Sequence, residues 1–219
     1  MEPKLALLHT ATANAVTFDR LGSELAPDIP LQHVVDDSLI SEARASGGVT
    51  PELNRRVSTA ALNALDSGAK VLLCTCSSIG PCVEVSRPFT DRPILRIDDP
   101  MAKIAVETGS RIIVAATLQT TLEPTKAIVQ RAADEAGKTI ELIDILCDSA
   151  WKAFETGDQE GYESEIVASL QSGSAGADVI VLAQASMAGA ADRLESEIPV
   201  LTSPRSGFEA AIEVYRKIR

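Results

Sequence analysis

The stretch that decides the fold is residues 68–78, GAKVLLCTCSS, because a closely similar stretch, GADVIVLAQAS, follows at residues 176–186. The first, second, fourth and last positions are identical, and the apolar positions between them correspond. Other segments repeat at nearly the same distance, namely PIL at 93–95 with PVL at 199–201, and Thr10 with Thr117. Three matches in the same order predict two copies of one α/β unit.

Short β-branched runs alternate with longer Ala- and Leu-rich amphipathic stretches, the order typical of parallel sheets covered by helices. The predicted strands are 4–9, 30–35, 70–75, 93–97, 111–116, 139–144, 178–183 and 198–201. The predicted helices are 15–26, 51–67, 78–87, 100–109, 123–136, 160–172, 187–195 and 205–218. The helix at 51–67 has the clearest signals, because Thr50 can cap it, Pro51 suits its first turn and Gly68 can end it.

Composition excludes several classes of protein. The chain has 219 residues, 45% of them hydrophobic, which is enough for a sizeable core. A net charge of -11 opposes binding to nucleic acid or to anionic membranes, whose affinity depends on Lys and Arg. We see neither a signal peptide nor a run of about 18 apolar residues and expect a cytoplasmic protein with free thiols. The sequence leaves open whether it is a monomer or a homo-oligomer.

The repeat also predicts where a ligand would bind. In an open parallel sheet, ligands bind beyond the carboxyl ends of the strands, where loops lead into helices. Two facing copies of the unit would place those loops around one cleft. In that cleft Cys76 and Gln184 would be counterparts, one from each copy.

Cys76 is the strongest candidate for chemistry. A thiol acts as a base or nucleophile only as the thiolate, which is favoured near a helix N-terminus or a cation. The order strand, cysteine, serine, helix offers that setting, with Ser77 or Ser78 expected to cap the helix. Cys74 and Cys82 are expected to be buried small hydrophobic residues, since free cysteine is among the most buried residue types.

Other polar residues have simpler interpretations. His33, Asp36 and Asp37 follow the second strand; we expect Asp37 or Ser38 to cap a helix, and a substrate contact by Asp36 stays an alternative. Asp98 and Asp99 before Pro100 are expected to end a strand and cap a helix. Neither a metal-ligand spacing nor a nucleotide-binding glycine motif is present, so no metal and no cofactor is expected.

Three motifs carry a resemblance to a known family. Thr75-Cys-Ser-Ser78 is similar to the first cysteine motif of the aspartate/glutamate/hydantoin racemase superfamily, and Leu182-Ala-Gln-Ala-Ser-Met187 to its second. Thr117-Leu-Gln-Thr120 resembles the family's Thr-x-x-Thr loop, which helps to hold the substrate carboxylate.

The resemblance implies two pseudo-symmetric flavodoxin-like lobes, each a parallel four-stranded sheet flanked by helices, with the active site in the cleft between them. The lobes would exchange the C-terminal helix, giving lobes of 1–98 with 204–219 and of 99–203. The resemblance also implies a small carboxylate as substrate and no cofactor. The expected substrate-binding residues are Thr10, Ser77, Ser78, Thr117, Thr120 and Ser186.

The departure from the family concerns Gln184, which stands where the family has its second cysteine. In such racemases one thiolate removes a proton and the opposite thiol returns one, which an amide cannot do. Three reactions fit one thiol facing an amide: racemisation with another group on the second face, decarboxylation followed by protonation, and double-bond isomerisation by thiolate addition. The nearest alternative acids are His9 and Thr10, although His9 has the commoner interpretation of a structural histidine.

We therefore expect a cofactor-independent isomerase that acts beside a carboxylate, with Cys76 as base or nucleophile and Gln184 opposite. The alternatives are an enzyme like arylmalonate decarboxylase or maleate isomerase, and a binding protein for small carboxylates that lacks turnover. The substrate itself is not fixed by the sequence.

Overall fold

The fold was taken from a computed structural model, which describes residues 4–173 and 176–218. The strands are β1 Lys4–His9, β2 Leu31–Val35, β3 Ala69–Cys74, β4 Ile94–Arg96, β5 Arg111–Ala116, β6 Glu141–Leu146, β7 Val179–Leu182 and β8 Val200–Thr202. The helices are α1 Thr12–Leu25, α2 Ser38–Ala45, α3 Pro51–Asp66, α4 Gly80–Val85, α5 Asp99–Thr108, α6 Gln119–Ala136, α7 Asp148–Thr156, α8 Gln159–Gly173, α9 Ala188–Arg193 and α10 Ser203–Lys217.

The strands form two four-stranded parallel sheets with the same strand order. One sheet runs β2-β1-β3-β4 and the other β6-β5-β7-β8. Each sheet therefore has its first and third strands at the centre, as in flavodoxin-like folds. The predicted α/β class with two parallel sheets flanked by helices is confirmed.

The chain divides into two compact units, each built around one sheet. Unit 1 contains Met1–Ile97 and Pro204–Arg219, and unit 2 contains Asp98–Ser203. Helix α10 follows the last strand of unit 2 but belongs to unit 1, and α5 follows the last strand of unit 1 but belongs to unit 2. The sheet of unit 1 is thus completed by a helix that the chain reaches after unit 2, whereas α5 joins unit 2 before the first strand of that unit.

Each sheet carries an apolar core on both faces. In unit 1, α1 and α10 cover one face through residues such as Phe18 and Phe208, whose rings lie 5.6 Å apart. Helices α2, α3 and α4 cover the other face. In unit 2, α5 and α6 cover one face, and α7, α8 and α9 cover the other. Both sheets are therefore buried on both faces, which explains why their central strands are continuous apolar runs.

Signals at the start and end of helix α3 act as predicted. The Thr50 side chain accepts a hydrogen bond of 3.1 Å from the Leu53 backbone N–H, and Pro51 occupies the first turn. Gly68, just beyond the helix, has φ of +108°, a backbone conformation that favours glycine. A positive φ breaks the helical backbone, and glycine adopts it without the strain that a Cβ would cause. The helix therefore ends just before Gly68.

Two helices were not predicted, and two capping assignments are wrong. Helices α2 and α7 are missing from the sequence prediction. Neither Asp37 nor Ser38 caps α2 with its side chain; the Asp36 carboxylate does so, accepting hydrogen bonds from the Ser38 backbone N–H at 3.0 Å and hydroxyl at 2.5 Å. These bonds lower the pKa of Asp36, and a salt bridge to Arg56 at 3.0 Å adds to the effect.

The segment after β3 also differs from the prediction of one helix over 78–87. Ser77–Ile79 forms a 3-10 helix that leads into the short α4, and neither has a side-chain cap. The expected cap by Ser77 or Ser78 is therefore wrong, because both serines lie inside the 3-10 turn. Asp98 precedes α5 without a side-chain cap, whereas Pro100 occupies the first turn as expected. Over residues 4–173 and 176–218, no helix has the length and apolar character that crossing a membrane requires.

Candidate active site

The loops that follow β3 and β7 have the same construction. In unit 1, Cys76 has extended backbone angles of φ -125° and ψ 117° and precedes a 3-10 turn and then α4. In unit 2, Gln184 has φ -113° and ψ 139° and precedes the 3-10 helix Ala185–Met187 and then α9. Cys76 and Gln184 therefore occupy equivalent positions at the carboxyl ends of equivalent strands.

Cys76 differs from the other three cysteines in its exposure. It is partly exposed, whereas Cys74, Cys82 and Cys147 are buried. Burial raises the pKa of Cys82 to about 12, with a smaller contribution from Cys76, and burial also raises the pKa of Cys147. The expectation that Cys74 and Cys82 are buried is confirmed, and Cys76 is the thiol that a ligand can reach.

A buried cation lies under the helix that follows Cys76. Arg96 ends β4, is 4% exposed and forms a 3.3 Å ion pair with Glu84. Its guanidinium lies against Gly80, where an added Cβ would lie 2.6 Å from the Arg96 Nε atom. Glycine at this position lets α4 pack directly on the arginine. The start of α4, which follows the Cys76 loop, is thereby held against the Arg96–Glu84 ion pair.

The side chain of Gln184 is held in one orientation. Its Oε1 atom accepts hydrogen bonds from the Thr117 backbone N–H at 2.6 Å and from the Thr117 hydroxyl at 2.9 Å. Because a backbone N–H can only donate, the oxygen of the amide must face Thr117. The Nε2 group is then directed away from Thr117, where its two N–H groups can donate to a ligand.

Tyr162 organises the same end of unit 2. This tyrosine is fully buried, and its hydroxyl lies 2.8 Å from the Ser186 hydroxyl and also contacts Thr117. Burial raises the pKa of Tyr162 to about 12, so the phenol stays neutral and can donate a hydrogen bond. Three predicted site residues, Thr117, Gln184 and Ser186, are thus brought into one hydrogen-bonded group.

The remaining predicted residues lie at strand ends and in the adjoining turns. Thr10 follows β1 and is 4% exposed, and Ser77 and Ser78 are 4% and 2% exposed. Thr120 lies in the first turn of α6, and its hydroxyl is buried without a hydrogen-bond partner. An unsatisfied buried hydroxyl is costly, and a bound polar ligand would satisfy it. Thr10, Cys76, Ser77 and Ser78 belong to unit 1, and Thr117, Thr120, Gln184 and Ser186 to unit 2.

Two structural features near these residues were not predicted from the sequence. The first is Tyr162, which lies on α8 far along the chain from Thr117 and gives no local signal of its role. The second is the pairing of His9 with His33, whose ring nitrogens lie 2.9 Å apart. That pair could have been found only from the strand register, in which His33 lies beside Leu7 in the neighbouring strand.

Solved structures with the same fold are racemases and a decarboxylase. A glutamate racemase from Bacillus anthracis has 13% identity and a TM-score of 0.75, over 99% of this chain and 83% of that one. An allantoin racemase from Klebsiella pneumoniae has 18% identity and a TM-score of 0.60, over 99% and 87%. An arylmalonate decarboxylase has 16% identity and a TM-score of 0.59, over 99% and 94%. Identities this low show a shared fold.

The family was established by a separate comparison. No curated protein matches the chain significantly. The profile of the family described as Asp/Glu/Hydantoin racemase matches residues 17–211, which is most of the chain. The resemblance inferred from three short motifs is thereby confirmed, as is the expected racemase and isomerase class of enzyme: the chain belongs to the Asp/Glu/Hydantoin racemase family.

Proposed function

We propose that the protein is a cofactor-independent isomerase that acts at the carbon next to a carboxylate, with the Cys76 thiolate as base or nucleophile. The observation that carries the proposal is the exposure of Cys76 at the end of β3, combined with the fixed amide of Gln184 at the equivalent position of unit 2. Variants in either loop test the proposal.

The chemistry begins with proton removal. The Cys76 thiolate takes the proton from the carbon next to the carboxylate, and the electron pair of the broken C–H bond passes into the carboxylate as an enolate. Return of the proton by the Cys76 thiol restores the original configuration. Return of a proton to the opposite face by another acid inverts the configuration; that acid regains a proton from water, and the Cys76 thiol releases to water the proton that it took.

The developing negative charge needs hydrogen-bond donors. Thr120 offers an unpartnered hydroxyl at the start of α6, a helix long enough for its N-terminus to favour an anion. Gln184 offers its Nε2 group, already oriented by Thr117. Donors fixed before the reaction stabilise the charge without reorganisation, which is the main source of such catalysis. Ser77, Ser78, Thr10 and Ser186 are further candidates for contact with the substrate.

Gln184 also favours a second candidate reaction. An amide is neither an acid nor a base near neutral pH, so Gln184 itself cannot transfer a proton, and racemisation needs another acid on the second face. A reaction that needs one thiol alone fits this arrangement: decarboxylation of a malonate followed by protonation from Cys76, or thiolate addition to a double bond, rotation and elimination. In the first, the electron pair of the broken C–C bond forms the enolate, and carbon dioxide leaves.

The test is proton exchange in deuterated water. The protein would be incubated with amino acids, hydantoins, and malonate and maleate analogues, without added cofactor and with a chelator. We expect deuterium at the carbon beside the carboxylate for an isomerase, and carbon dioxide release or a change of double-bond geometry for the second candidate. Loss of the Cys76 acid or base should cost about 10²- to 10⁴-fold in rate.

The matched variants are Cys76→Ala and Cys147→Ala, which each remove one thiol. Cys76→Ala should abolish the reaction, whereas Cys147→Ala should retain it, because Cys147 is buried in the core of unit 2. Equal activity of Cys76→Ala and the unchanged protein on any converted substrate would disprove the proposal.

A further inference from the structure

A chain of hydrogen bonds in unit 1 joins the surface to the residue before Cys76. The Asp19 carboxylate lies 3.1 Å from His33 Nε2, His33 Nδ1 lies 2.9 Å from His9 Nε2, and His9 Nδ1 lies 2.8 Å from the Thr75 hydroxyl. The Thr75 hydroxyl donates in turn to the Leu8 carbonyl at 3.0 Å. The Asp19 side chain is 67% exposed, whereas His9 is fully buried. The chain therefore runs from solvent into the interior.

The direction of the Thr75 hydroxyl determines how many protons the two rings carry. A hydroxyl carries one proton, so when Thr75 donates to Leu8, His9 Nδ1 must donate to Thr75. His9 then accepts at Nε2, and His33 donates to it from Nδ1 and to Asp19 from Nε2. In this arrangement the two rings carry three protons, one more than two neutral imidazoles hold.

Loss of that extra proton has a defined structural result. With two protons, His33 donates to Asp19 and becomes an acceptor at Nδ1, so His9 must donate to it from Nε2. His9 Nδ1 is then an acceptor, and the Thr75 hydroxyl must turn from Leu8 to His9. Leu8 keeps a partner, because its carbonyl also accepts a 3.0 Å bond from the Thr75 backbone N–H. Deprotonation thus changes the tautomer of His9 and the direction of the Thr75 hydroxyl.

In the three-proton arrangement the doubly protonated ring is His33, because it donates from both ring nitrogens while His9 accepts at Nε2. Burial lowers the pKa of His9 to about 4; the nearby His33 lowers it further, and Asp19 acts in the opposite direction. The His33 side chain is 20% exposed, and its Nε2 atom lies 3.1 Å from the Asp19 carboxylate.

The groups around the pair come from five elements. They are His9 on β1, His33 on β2, Asp19 and Phe18 on α1, Thr75 after β3, and Phe208 on α10, which packs on Phe18. The stacked histidine rings lie 5.1 Å apart. Asp19 is the carboxylate that these contacts place against the pair.

Unit 2 contains the same positions without the chain. Ala116 ends β5 where His9 ends β1, and Ala183 follows β7 where Thr75 follows β3. Asp144 corresponds to His33, because each pairs with the fourth residue of the neighbouring central strand. Lys126 corresponds to Asp19, because each is the eighth residue of its helix. Lys126 and Asp144 form a 2.8 Å salt bridge. The fold therefore needs only an ion pair at this site, and its extension through two histidines to Thr75 is particular to the unit that carries Cys76.

From this comparison we infer that Asp19, His33, His9 and Thr75 form a proton-sensitive positioning chain for the end of β3, in which one proton sets the hydrogen bond of the residue before Cys76. Side chains alternate along a strand, so Thr75 acts from the face opposite to Cys76 and is a positioning residue rather than a catalytic one. The effect on turnover rests on the proposed function of Cys76, whereas the proton switch itself does not.

The test is nitrogen-15 NMR of the histidine rings of the whole protein as the pH is raised from about 5 to about 8, a range in which histidine ordinarily titrates. We expect the His9 ring to change from the Nδ1–H to the Nε2–H form with a single midpoint in this range. Only a linked chain produces a tautomer change in a ring that stays neutral. A His9 ring that keeps one tautomer throughout this range would overturn the inference.

Two matched carboxylate variants locate the cause. Asp19→Asn removes the carboxylate that accepts from His33 Nε2 and should move the midpoint of the His9 tautomer change to lower pH by about 0.2–0.7 units, the size expected of an exposed ion pair. Asp28→Asn removes a carboxylate of similar exposure, 68%, that pairs with Arg216 instead. It should leave the midpoint unchanged. Equal shifts in the two variants would show a general charge effect and contradict the chain.

Activity gives an independent measurement. If a substrate is converted, the pH profile of kcat/KM should follow the NMR midpoint and should shift in Asp19→Asn but not in Asp28→Asn. A tautomer switch in a protein that converts no substrate would disprove the proposed function and leave the chain intact. Turnover with no change in the His9 tautomer would disprove the chain and leave the proposed function intact.

Discussion

The loops after β3 and β7 share a backbone and differ in chemistry. Both have an extended residue, a 3-10 turn and a short helix, yet one presents a thiol and the other an amide held by Thr117. The residues at the start of the following helix and at the end of the neighbouring strand also differ. Arg96 at the end of β4 faces Gly80 at the start of α4, whereas Thr202 and Ala188 stand at the equivalent positions of unit 2. The duplicated fold thus keeps its geometry while the side chains of each copy have taken different roles.

The largest expected difference between the two units is in the response of stability to acid, because unit 2 has Ala116 where unit 1 has His9. The pKa of His9 is lowered from 6.5 to about 4 in the folded state. Between about pH 6.5 and pH 4 the His9 ring is therefore protonated in the unfolded chain but not in the folded one. The free energy of unfolding falls as the pH falls through that window. The loss should approach about 3 kcal/mol near pH 4.

Urea unfolding at about pH 7 and about pH 4.5 measures this loss. The double variant His9→Ala, Thr75→Ala copies the residues of unit 2 and should be less sensitive to acid than the unchanged protein. An identical loss of stability in both proteins would show that His9 is not responsible.

The second prediction sharpens the contrast between thiol and amide. Gln184→Glu keeps an oxygen for Thr117 to bind but replaces the Nε2 donor with a charged acceptor. If Gln184 donates to a substrate carboxylate, kcat/KM should fall about 10- to 100-fold, as expected for a lost hydrogen bond to a charged group, mainly through KM. The control is Gln159→Glu, an equal change on exposed α8, which should leave KM unchanged. An unaltered KM in Gln184→Glu would exclude it from substrate binding.

The third prediction replaces the two residues that pack together behind the Cys76 loop with their counterparts in unit 2. Gly80→Ala should destabilise the protein by about 1–3 kcal/mol, the usual cost of overpacking, because the new Cβ meets the buried Arg96 guanidinium. The double variant Gly80→Ala, Arg96→Thr copies the pair found in unit 2. In that background the alanine should cost much less, as measured by a double-mutant cycle of thermal unfolding. Equal costs in both backgrounds would contradict the proposed contact.

The central strands were predictable because they are buried on both faces and form short apolar runs. The edge strands are less buried, and all eight strands lie within a few residues of their expected positions. Helices with broad apolar faces, such as α3, were also found. Helices α2 and α7 were missed because they are short and bury little: Leu39 and Ala43 in the first, and Ala150 in the second. So few buried positions give no clear helical period.

The candidate site was predictable only where its residues follow strands. Cys76, Thr117 and Gln184 were found from the repeat and the family motifs, and their role in catalysis stays a prediction. The orientation of the Gln184 amide, the position of Tyr162 and the contact of His9 with His33 depend on residues far apart in the chain. Such contacts follow from strand register and helix packing, neither of which a single sequence displays. The capping error at Ser77 and Ser78 arose from a tight turn that sequence alone does not distinguish from a helix start.

The position of α10 has a consequence for how the protein is made. Phe208, Ala211 and Ile212 complete the core of unit 1, yet the ribosome adds them after the whole of unit 2. Until then, the β1 and β3 side chains beneath α10 have no cover, whereas unit 2 already has all its helices. Unit 1, which carries Cys76, therefore acquires its last core residues only after all of unit 2 has been added.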